Sequence, residues 1–300
     1  MKMRHLGAYL HERFPPVNMA LFTILFLTVR AVGQVASPSP LRPDGPGLAA
    51  LGALATVSFF FRLRVFDEEK DFAQDRQHYP GRVLQTGRVT LGQLRALAWA
   101  GAALEAGWSA QRGPGSLLLW ALALGYSLAM RAEFGVGRWL RGRLVLYALS
   151  HMLIMPLLIG WLYGSYAAGL AGPAYLPSLL LLSLLGGFSF ELARKLHAPA
   201  AERPGIDSYS QALGYGPALA LTVAVLLAGG AAQAGLLRLL HARPATYAAL
   251  GLLLAGGLAL YAAAARPPHE PRLRQAEKVV SLVMLTSYLA VLAEIYTRAY

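Results

Sequence analysis

Long apolar runs separated by short basic gaps constrain the fold of this chain more than any other feature. A helix needs about 20 mostly apolar residues to cross the hydrocarbon core of a bilayer, and the sequence predicts about nine such spans. They lie approximately at 17–35, 47–66, 91–111, 115–131, 141–165, 174–193, 211–237, 245–265 and 278–297. Because backbone groups in lipid need partners within the protein, we expect an all-α, polytopic membrane protein. Residues 1–300 then form a single integral membrane domain.

The basic residues predict the orientation of the spans. Cytoplasmic loops carry an excess of Lys and Arg, and most of the 27 basic residues fall on the side that holds the N-terminus. We therefore expect the N-terminus and the functional site on the cytoplasmic side of a bacterial-type inner or plasma membrane. Residues 1–16 alternate charged and apolar side chains, a pattern typical of an interfacial amphipathic helix. Pro15 and Pro16 are expected to end it.

The net charge of +12 is also typical of proteins that bind nucleic acid. Such proteins cluster their bases on one water-exposed face, whereas the bases here lie in short gaps between apolar runs. We therefore expect a lipid bilayer and no nucleic acid as partner. The chain has no cysteine, which excludes thiol catalysis and thiolate metal sites.

Acidic residues are scarce and clustered at the end of the second predicted span. Five of the fifteen lie within nine positions, namely Asp67, Glu68, Glu69, Asp71 and Asp75. On a continuing helix, Asp67, Asp71 and Asp75 stack along one face and repel one another. A bound Mg²⁺, which favours oxygen ligands, would remove that repulsion. The alternative is a solvated acidic segment that is neutralised by Arg62, Arg64, Lys70 and Arg76.

The segment after the acids is rich in turn residues and contains Arg82 and Arg88. Acids followed by bases at a membrane face indicate a metal ion that holds a polyphosphate. A second polar cluster, with Glu191, Arg194 and Lys195, ends the sixth predicted span, four spans after the first cluster. This spacing predicts two related four-helix halves plus one helix.

Two motifs in these clusters resemble those of the UbiA superfamily of intramembrane prenyltransferases. The run Asp67-Glu-Glu-Lys-Asp71-Phe-Ala-Gln-Asp75, followed by Pro80-x-Arg82 and Gly87, is similar to the first aspartate-rich motif of that family. The segment from Glu191 to Gly214, which includes Gly205-Ile-Asp-Ser-Tyr, is similar to the second. The family usually has Asn at the position of Asp67, and a second acid at the position of Lys195.

The resemblance implies a UbiA-like bundle and an Mg²⁺-dependent reaction. An isoprenyl group would move from its diphosphate, through an allylic cation, to a lipophilic acceptor that is an aromatic quinone precursor or a lipid. The implied catalytic and metal-binding residues are Asp67, Asp71, Asp75 and Glu191. The implied diphosphate-binding residues are Arg82, Arg138, Arg194, Lys195 and Lys70. Segments 67–90 and 194–210 are expected to be cytoplasmic active-site loops.

Two other functions fit the sequence. The altered second motif is compatible with a UbiA-type terpene cyclase, in which double bonds of the substrate capture the cation and no acceptor is needed. Several spans with a charged middle segment also fit a transporter or a non-catalytic membrane protein. Within the spans, Glu105 is interpreted as a functional or a helix-pairing group, and His151 as an acceptor-orienting base or a structural hydrogen-bonding group.

Overall fold

The computed structural model of this chain describes residues 2–37, 45–167, 174–203 and 207–297. Throughout these ranges the regular structure is helical, without a strand. The α-helices are α1 (Met3–Arg13), α2 (Pro16–Ala36), α3 (Pro46–His78), α4 (Leu91–Arg112), α5 (Pro114–Arg131), α6 (Gly137–Arg141), α7 (Leu144–Met152), α8 (Ile154–Gly164), α9 (Tyr175–Arg194), α10 (Tyr209–Leu213), α11 (Tyr215–Leu239), α12 (Pro244–Ala265) and α13 (Glu270–Tyr296). Short 3₁₀ turns lie at Glu133–Gly135 and Pro199–Ala201. The prediction of an all-α polytopic membrane protein is confirmed.

Seven of the predicted spans are long and apolar enough to cross a membrane, by length and composition. They correspond to α2, α3, the pair α7 and α8, α9, α11, α12 and α13. The other two predicted spans form α4 and α5, which are full helices of 22 and 18 residues. Glu105 and Arg112 in α4, and Arg131 at the end of α5, make these helices less apolar. The predicted count of nine membrane spans is therefore not confirmed.

The chain folds as two compact units. The first contains the described residues up to Phe134 and a short segment that begins at Gly164. The second contains Gly135–Tyr163 and the described residues from Ala174 onward. The division thus follows the fourth predicted span, at the point where the sequence places the end of the first half.

Close helix packing in the first unit depends on two glycines. A Cβ atom at Gly52 would lie 2.6 Å from the Phe26 ring and 2.7 Å from the Trp108 ring. A Cβ atom at Gly101 would overlap with Ser58 Oγ. Small residues let membrane helices approach closely, so these positions set the packing of α2, α3 and α4.

Helix α3 extends well beyond its apolar part. The sequence predicts a loop over 67–90, but the helix continues to His78 and only the remainder forms turns. We call residues 67–78 the α3 extension. The turns end at a capping box, in which the Thr90 hydroxyl accepts from the Gln93 amide and the Gln93 side chain accepts from the Thr90 amide. This box fixes the start of α4.

The N-terminal helix is confirmed as α1, and it ends at Arg13, two residues before Pro15. In the second unit, α9 packs against α11 and α13, and α12 packs against α13. Tyrosine hydroxyls join helix ends there, since Tyr215 donates to the Ala264 carbonyl at 2.6 Å. Gly205 and Ile206 of the second motif lie outside the described residues.

Candidate active site

The α3 extension presents two carboxylates without hydrogen-bonding partners. Asp67 is exposed and Asp71 is half-buried, one helical turn further along. Neither accepts a hydrogen bond or forms an ion pair with the residues that the structure describes. The positive charge of Lys70 acts on both carboxylates. This pair therefore offers oxygen atoms to a ligand on one face of the helix.

Asp75, the third aspartate of the motif, is held by two arginines. Arg82 Nη1 lies 2.6 Å from Asp75 Oδ2, and Arg13 Nη2 lies 3.4 Å from the same oxygen. The Arg82 guanidinium also lies over the Tyr79 ring, 3.8 Å from its centroid. The turn after α3 thus brings Arg82 back to Asp75, and Arg82 Nε also lies 4.0 Å from Glu12 Oε1 of α1.

Arg13 of α1 is a site residue that the sequence analysis missed. Its Nε lies 2.6 Å from Glu68 Oε1, and Glu68 is only 1% exposed. Although burial opposes its charge, the Glu68 carboxylate holds the pKa of Arg13 above its ordinary value. Burial, reinforced by the charge of Glu68, likewise raises the pKa of the Tyr9 phenol. No local sequence signal links residues 55 positions apart, as Arg13 and Glu68 are.

The remaining acids of the cluster are neutralised by arginines. Arg64 Nη2 lies 2.8 Å from Glu68 Oε1, one turn along α3. Glu69 pairs with Arg131 Nε at 2.7 Å and also with Arg95. The alternative of an acidic segment that is neutralised by basic residues is therefore partly correct. It holds for Glu68 and Glu69 but not for Asp67 and Asp71.

Arg62 does not neutralise the cluster but pairs with Glu105. Its Nη1 lies 2.6 Å from both carboxylate oxygens of Glu105, and both side chains are fully buried. The indole Nε1 of Trp120 donates to Glu105 at 2.9 Å. Glu105 therefore joins α3, α4 and α5, as the helix-pairing interpretation predicts.

His151 makes local contacts within α7. Its Nδ1 lies 2.8 Å from the Tyr147 carbonyl oxygen, and its ring stacks on the Tyr147 ring at 4.0 Å between centroids. These contacts agree with the structural interpretation of this residue.

The second polar cluster lies at the end of α9. Arg194 Nη2 is 2.7 Å from Glu191 Oε2, and Lys195 Nζ is 2.8 Å from Glu191 Oε1. Each carboxylate oxygen of Glu191 is thus bound by one cation. Arg138, on α6, is exposed and makes no hydrogen bond or ion pair within the described ranges.

The segment that follows α9 is fixed by two further acids. Glu270 of α13 accepts from the Ala198 amide at 2.7 Å and contacts His197 Nδ1 at 3.0 Å. Glu202 accepts from Ser208 and from Gln211, each at 2.8 Å. Partial burial opposes ionisation of Glu202, but these hydrogen bonds and one from Ser210 hold its pKa below its ordinary value.

The predicted metal ligands do not form a preassembled cluster. Among the residues that the structure describes, no group of three or more His, Asp or Glu side chains is placed to hold a metal ion. In the first unit, the carboxylate oxygens of Asp67 and Asp71 are available as ligands for a metal ion. The second unit offers Glu191, whose oxygens already contact cations.

Comparison with known proteins shows which solved structures share this fold. No family model and no curated protein sequence matches the chain. A digeranylgeranylglyceryl phosphate synthase structure matches with a TM-score of 0.70 at 13% identity, over 98% of this chain and 99% of that one. An apo UbiA homologue from Aeropyrum pernix K1 matches with a TM-score of 0.67 at 20% identity, over 93% and 98%.

A UbiA homologue from Archaeoglobus fulgidus bound to GPP and Mg²⁺ matches with a TM-score of 0.55 at 14% identity, over 95% of this chain and 99% of that one. All three matches extend over nearly the whole of both chains. This chain therefore has the fold of these UbiA homologues, as the resemblance predicts.

Proposed function

We propose that this protein transfers an isoprenyl group from an isoprenyl diphosphate to a lipophilic acceptor and that the reaction depends on Mg²⁺. One observation carries the proposal. Asp67 and Asp71 have no hydrogen-bonding partner within the described ranges, whereas Glu68, Glu69 and Asp75 are all paired with arginine. The likeness of this chain's fold to that of a UbiA homologue bound to GPP and Mg²⁺ supports this proposal.

The donor set of Asp67 and Asp71 fits Mg²⁺. That ion is usually bound by one or two carboxylates, several waters and the phosphates of a substrate, rather than by an all-protein cage. When bound there, Mg²⁺ would supply positive charge against the charge that develops on the leaving diphosphate.

Arginines and lysines would supply the rest of the positive charge. In the first unit, Asp75 and Tyr79 orient the Arg82 guanidinium, and a guanidinium binds phosphate through two parallel hydrogen bonds. Lys70 adds a point charge beside Asp67 and Asp71.

The family resemblance also implies diphosphate-binding residues in the second unit, namely Arg138, Arg194 and Lys195. Glu191 contacts both Arg194 and Lys195. This arrangement supports a positioning role for Glu191 more than the metal-binding role that the family resemblance implies.

The proposed reaction needs no oxidant or reductant. The C–O bond to diphosphate breaks, and diphosphate leaves with the electron pair. The allylic cation that remains forms a bond to a nucleophilic atom of the acceptor, which then loses a proton. Apolar helices keep water from the cation, since water would otherwise capture it.

The proposal is tested by assaying the purified chain with Mg²⁺ and geranyl, farnesyl or geranylgeranyl diphosphate. Each donor is supplied alone, with a phenolic acid, or with a prenylglycerol phosphate, and diphosphate release and product mass are measured. We expect release that needs both Mg²⁺ and one class of acceptor. Release without acceptor, together with a cyclic product, would establish the cyclase instead. No release with any donor would exclude both activities.

A further inference from the structure

A cavity of about 200 Å³ lies among α9, α11, α12 and α13, within the second unit. None of its lining residues is charged, and most are leucine, valine, glycine or alanine. An ionised group would lose its hydration there without a counter-charge. The cavity therefore does not suit a diphosphate or a charged lipid headgroup.

The cavity is separate from the polar cluster at the end of α9. Leu182, Gly186 and Ser189 line it from one face of that helix. Residues on a helix are 3.6 to the turn, so Glu191 points roughly 200° away from Ser189. Gly187 lies nearer the face of Glu191, and a Cβ atom there would meet Met152 Sδ at 3.3 Å rather than the cavity. The function of the cavity can therefore be examined apart from the proposed transfer.

Two buried polar atoms in the cavity wall lack partners in the described part of the chain. Ser189 is 2% exposed and Gln233 is 4% exposed, and neither Ser189 Oγ nor Gln233 Oε1 takes part in a hydrogen bond. Ser183, on the same helix, instead donates to the Leu180 carbonyl at 2.9 Å. Buried polar atoms are nearly always paired, so each of these two atoms needs a hydrogen-bonding partner from a ligand or from water.

The orientation of the Gln233 amide determines what that ligand must offer. Gln233 Nε2 donates to the Ser287 carbonyl at 3.1 Å, and only the amino end of the amide can do so. Oε1 is left as an acceptor, which requires a donor from the ligand. Ser189 Oγ can donate or accept. A hydroxyl group can satisfy either atom, because it too donates and accepts.

Glycine at position 251 leaves space that helix packing does not use. A Cβ atom at Gly251 would meet no atom within 4 Å, whereas one at Gly230 would lie 2.8 Å from Leu254. A side chain at position 230 would thus displace the end of Leu254, whereas one at position 251 would displace nothing. Gly251 is also exposed, so the cavity is open at α12 and an apolar molecule can enter there.

We infer that this cavity binds a lipophilic alcohol, with its hydrocarbon body among the apolar side chains and its hydroxyl on Gln233 Oε1 or Ser189 Oγ. The apolar lining holds the hydrocarbon body by van der Waals packing, which is how apolar groups associate inside a membrane. The two polar atoms favour an alcohol over the matching hydrocarbon, because a hydrocarbon leaves them unpaired.

The test uses the full-length protein in detergent and a decanol analogue that carries a photoreactive diazirine. Labelled peptides are identified by mass spectrometry, and labelling is competed with geraniol, decanol, myrcene or decane. We expect labels on α11 and α13, and competition by the two alcohols about fivefold stronger than by the two hydrocarbons. Equal competition would mean that water or non-specific lipid fills the cavity, and would overturn the inference.

Two leucine substitutions on α12 form a matched pair. Gly251→Leu fills the cavity, whereas Gly256→Leu adds the same side chain at a position that does not line it and where a Cβ atom also meets nothing within 4 Å. We expect Gly251→Leu to reduce labelling about tenfold and Gly256→Leu to leave it unchanged. Equal labelling of the two variants would contradict the inference.

Ser189→Ala removes one hydroxyl with little change of volume, and should reduce the preference for alcohol over hydrocarbon. An unchanged preference in both Ser189→Ala and Gln233→Leu would also contradict the inference. Size-exclusion profiles and thermal midpoints show which variants are folded, and the competition on the unmodified protein stands even where a variant does not fold. The assay reads binding rather than turnover, so a negative result leaves the proposed transfer intact.

Discussion

Arg82 Nη1 lies 2.6 Å from Asp75 Oδ2, which separates the third aspartate of the first motif from the other two. Asp75 orients a guanidinium, while Asp67 and Asp71 accept no hydrogen bond in the described structure. A regular i, i+4, i+8 spacing therefore contains two kinds of carboxylate.

Replacement of single aspartates tests the metal assignment. We expect Asp71→Asn to lower kcat about 100-fold, because the variant loses an anionic ligand at the position where charge develops on the diphosphate. Asp67→Asn should keep kcat within about fivefold, because the family motif usually has Asn at this position, where an amide oxygen suffices as a ligand. The measurement is kcat as a function of Mg²⁺ concentration.

The two variants control for one another, since both exchange a carboxylate for an amide on the same helix. Neither variant should unfold at a lower temperature than the unmodified protein, because neither carboxylate has a hydrogen bond to lose. Equal loss of kcat in Asp67→Asn and Asp71→Asn would contradict the prediction that only position 71 needs a negative charge. Unchanged kcat in both would remove the metal site from the α3 extension.

Lys195 is expected to act on the diphosphate rather than on the metal. Lys195→Ala should raise KM for the isoprenyl diphosphate about tenfold, since a charge-assisted contact to phosphate is lost. The Mg²⁺ concentration for half-maximal rate should stay unchanged. Lys278→Ala, which removes an exposed lysine of α13, is the control and should change neither value. A larger effect of Lys195→Ala on Mg²⁺ than on KM would reverse the assignment.

The buried pair of Arg62 and Glu105 is expected to govern the stability of the first unit. Arg62→Met leaves the Glu105 carboxylate buried without its cation, which costs about 3–5 kcal/mol of unfolding free energy. Arg131→Met breaks a pair in which Arg131 is 39% exposed, and should cost less than about 1 kcal/mol. Equilibrium unfolding in mixed micelles measures both.

A double variant distinguishes the cost of the unpaired carboxylate from the loss of packing. Arg62→Met with Glu105→Leu should recover most of the stability lost in Arg62→Met alone, because no unpaired charge remains buried. If the double variant is as unstable as the single one, the loss comes from packing rather than from the unpaired carboxylate.

Glu202 is expected to make folding of the second unit sensitive to acid. Its ordinary pKa is 4.5, and hydrogen bonds hold the pKa lower in the folded protein. The unfolded chain therefore takes up the proton first as pH falls. The stabilisation is complete above pH 4.5 and is lost as pH falls through the folded pKa.

Comparison with Glu202→Gln isolates that contribution from other carboxylates. The difference in thermal midpoint between the two proteins should be largest at neutral pH and should shrink below pH 4.5. A difference that is constant with pH would mean that the hydrogen bonds, and not the charge, stabilise this segment.

The helices could be predicted from the sequence because each depends on local composition. The nine apolar runs all became helices, and the spacing of Asp67, Asp71 and Asp75 correctly placed them on one helix. The number of membrane spans could not be predicted in the same way, since the charge of Glu105 in α4 is neutralised by Arg62 on another helix. Periodicity along one helix does not reveal such a partner.

The pairing of side chains within the site could not be predicted for the same reason. Arg13 and Glu68 meet only because α1 folds back on α3, and Glu69 takes arginines from α4 and α5. The sequence therefore identified the acidic cluster but not which acids remain available to a ligand. That distinction depends on long-range contacts, which composition and spacing do not encode.

Equilibrium binding of radiolabelled farnesyl diphosphate tests the central claim most directly, because it needs neither the acceptor nor the product. Binding is measured with and without Mg²⁺ for the unmodified protein and for Asp71→Asn. We predict binding that requires Mg²⁺ in the unmodified protein and is lost in Asp71→Asn. Binding that is equal with and without Mg²⁺, or equal in the two proteins, would contradict the proposal that the α3 extension holds a magnesium diphosphate.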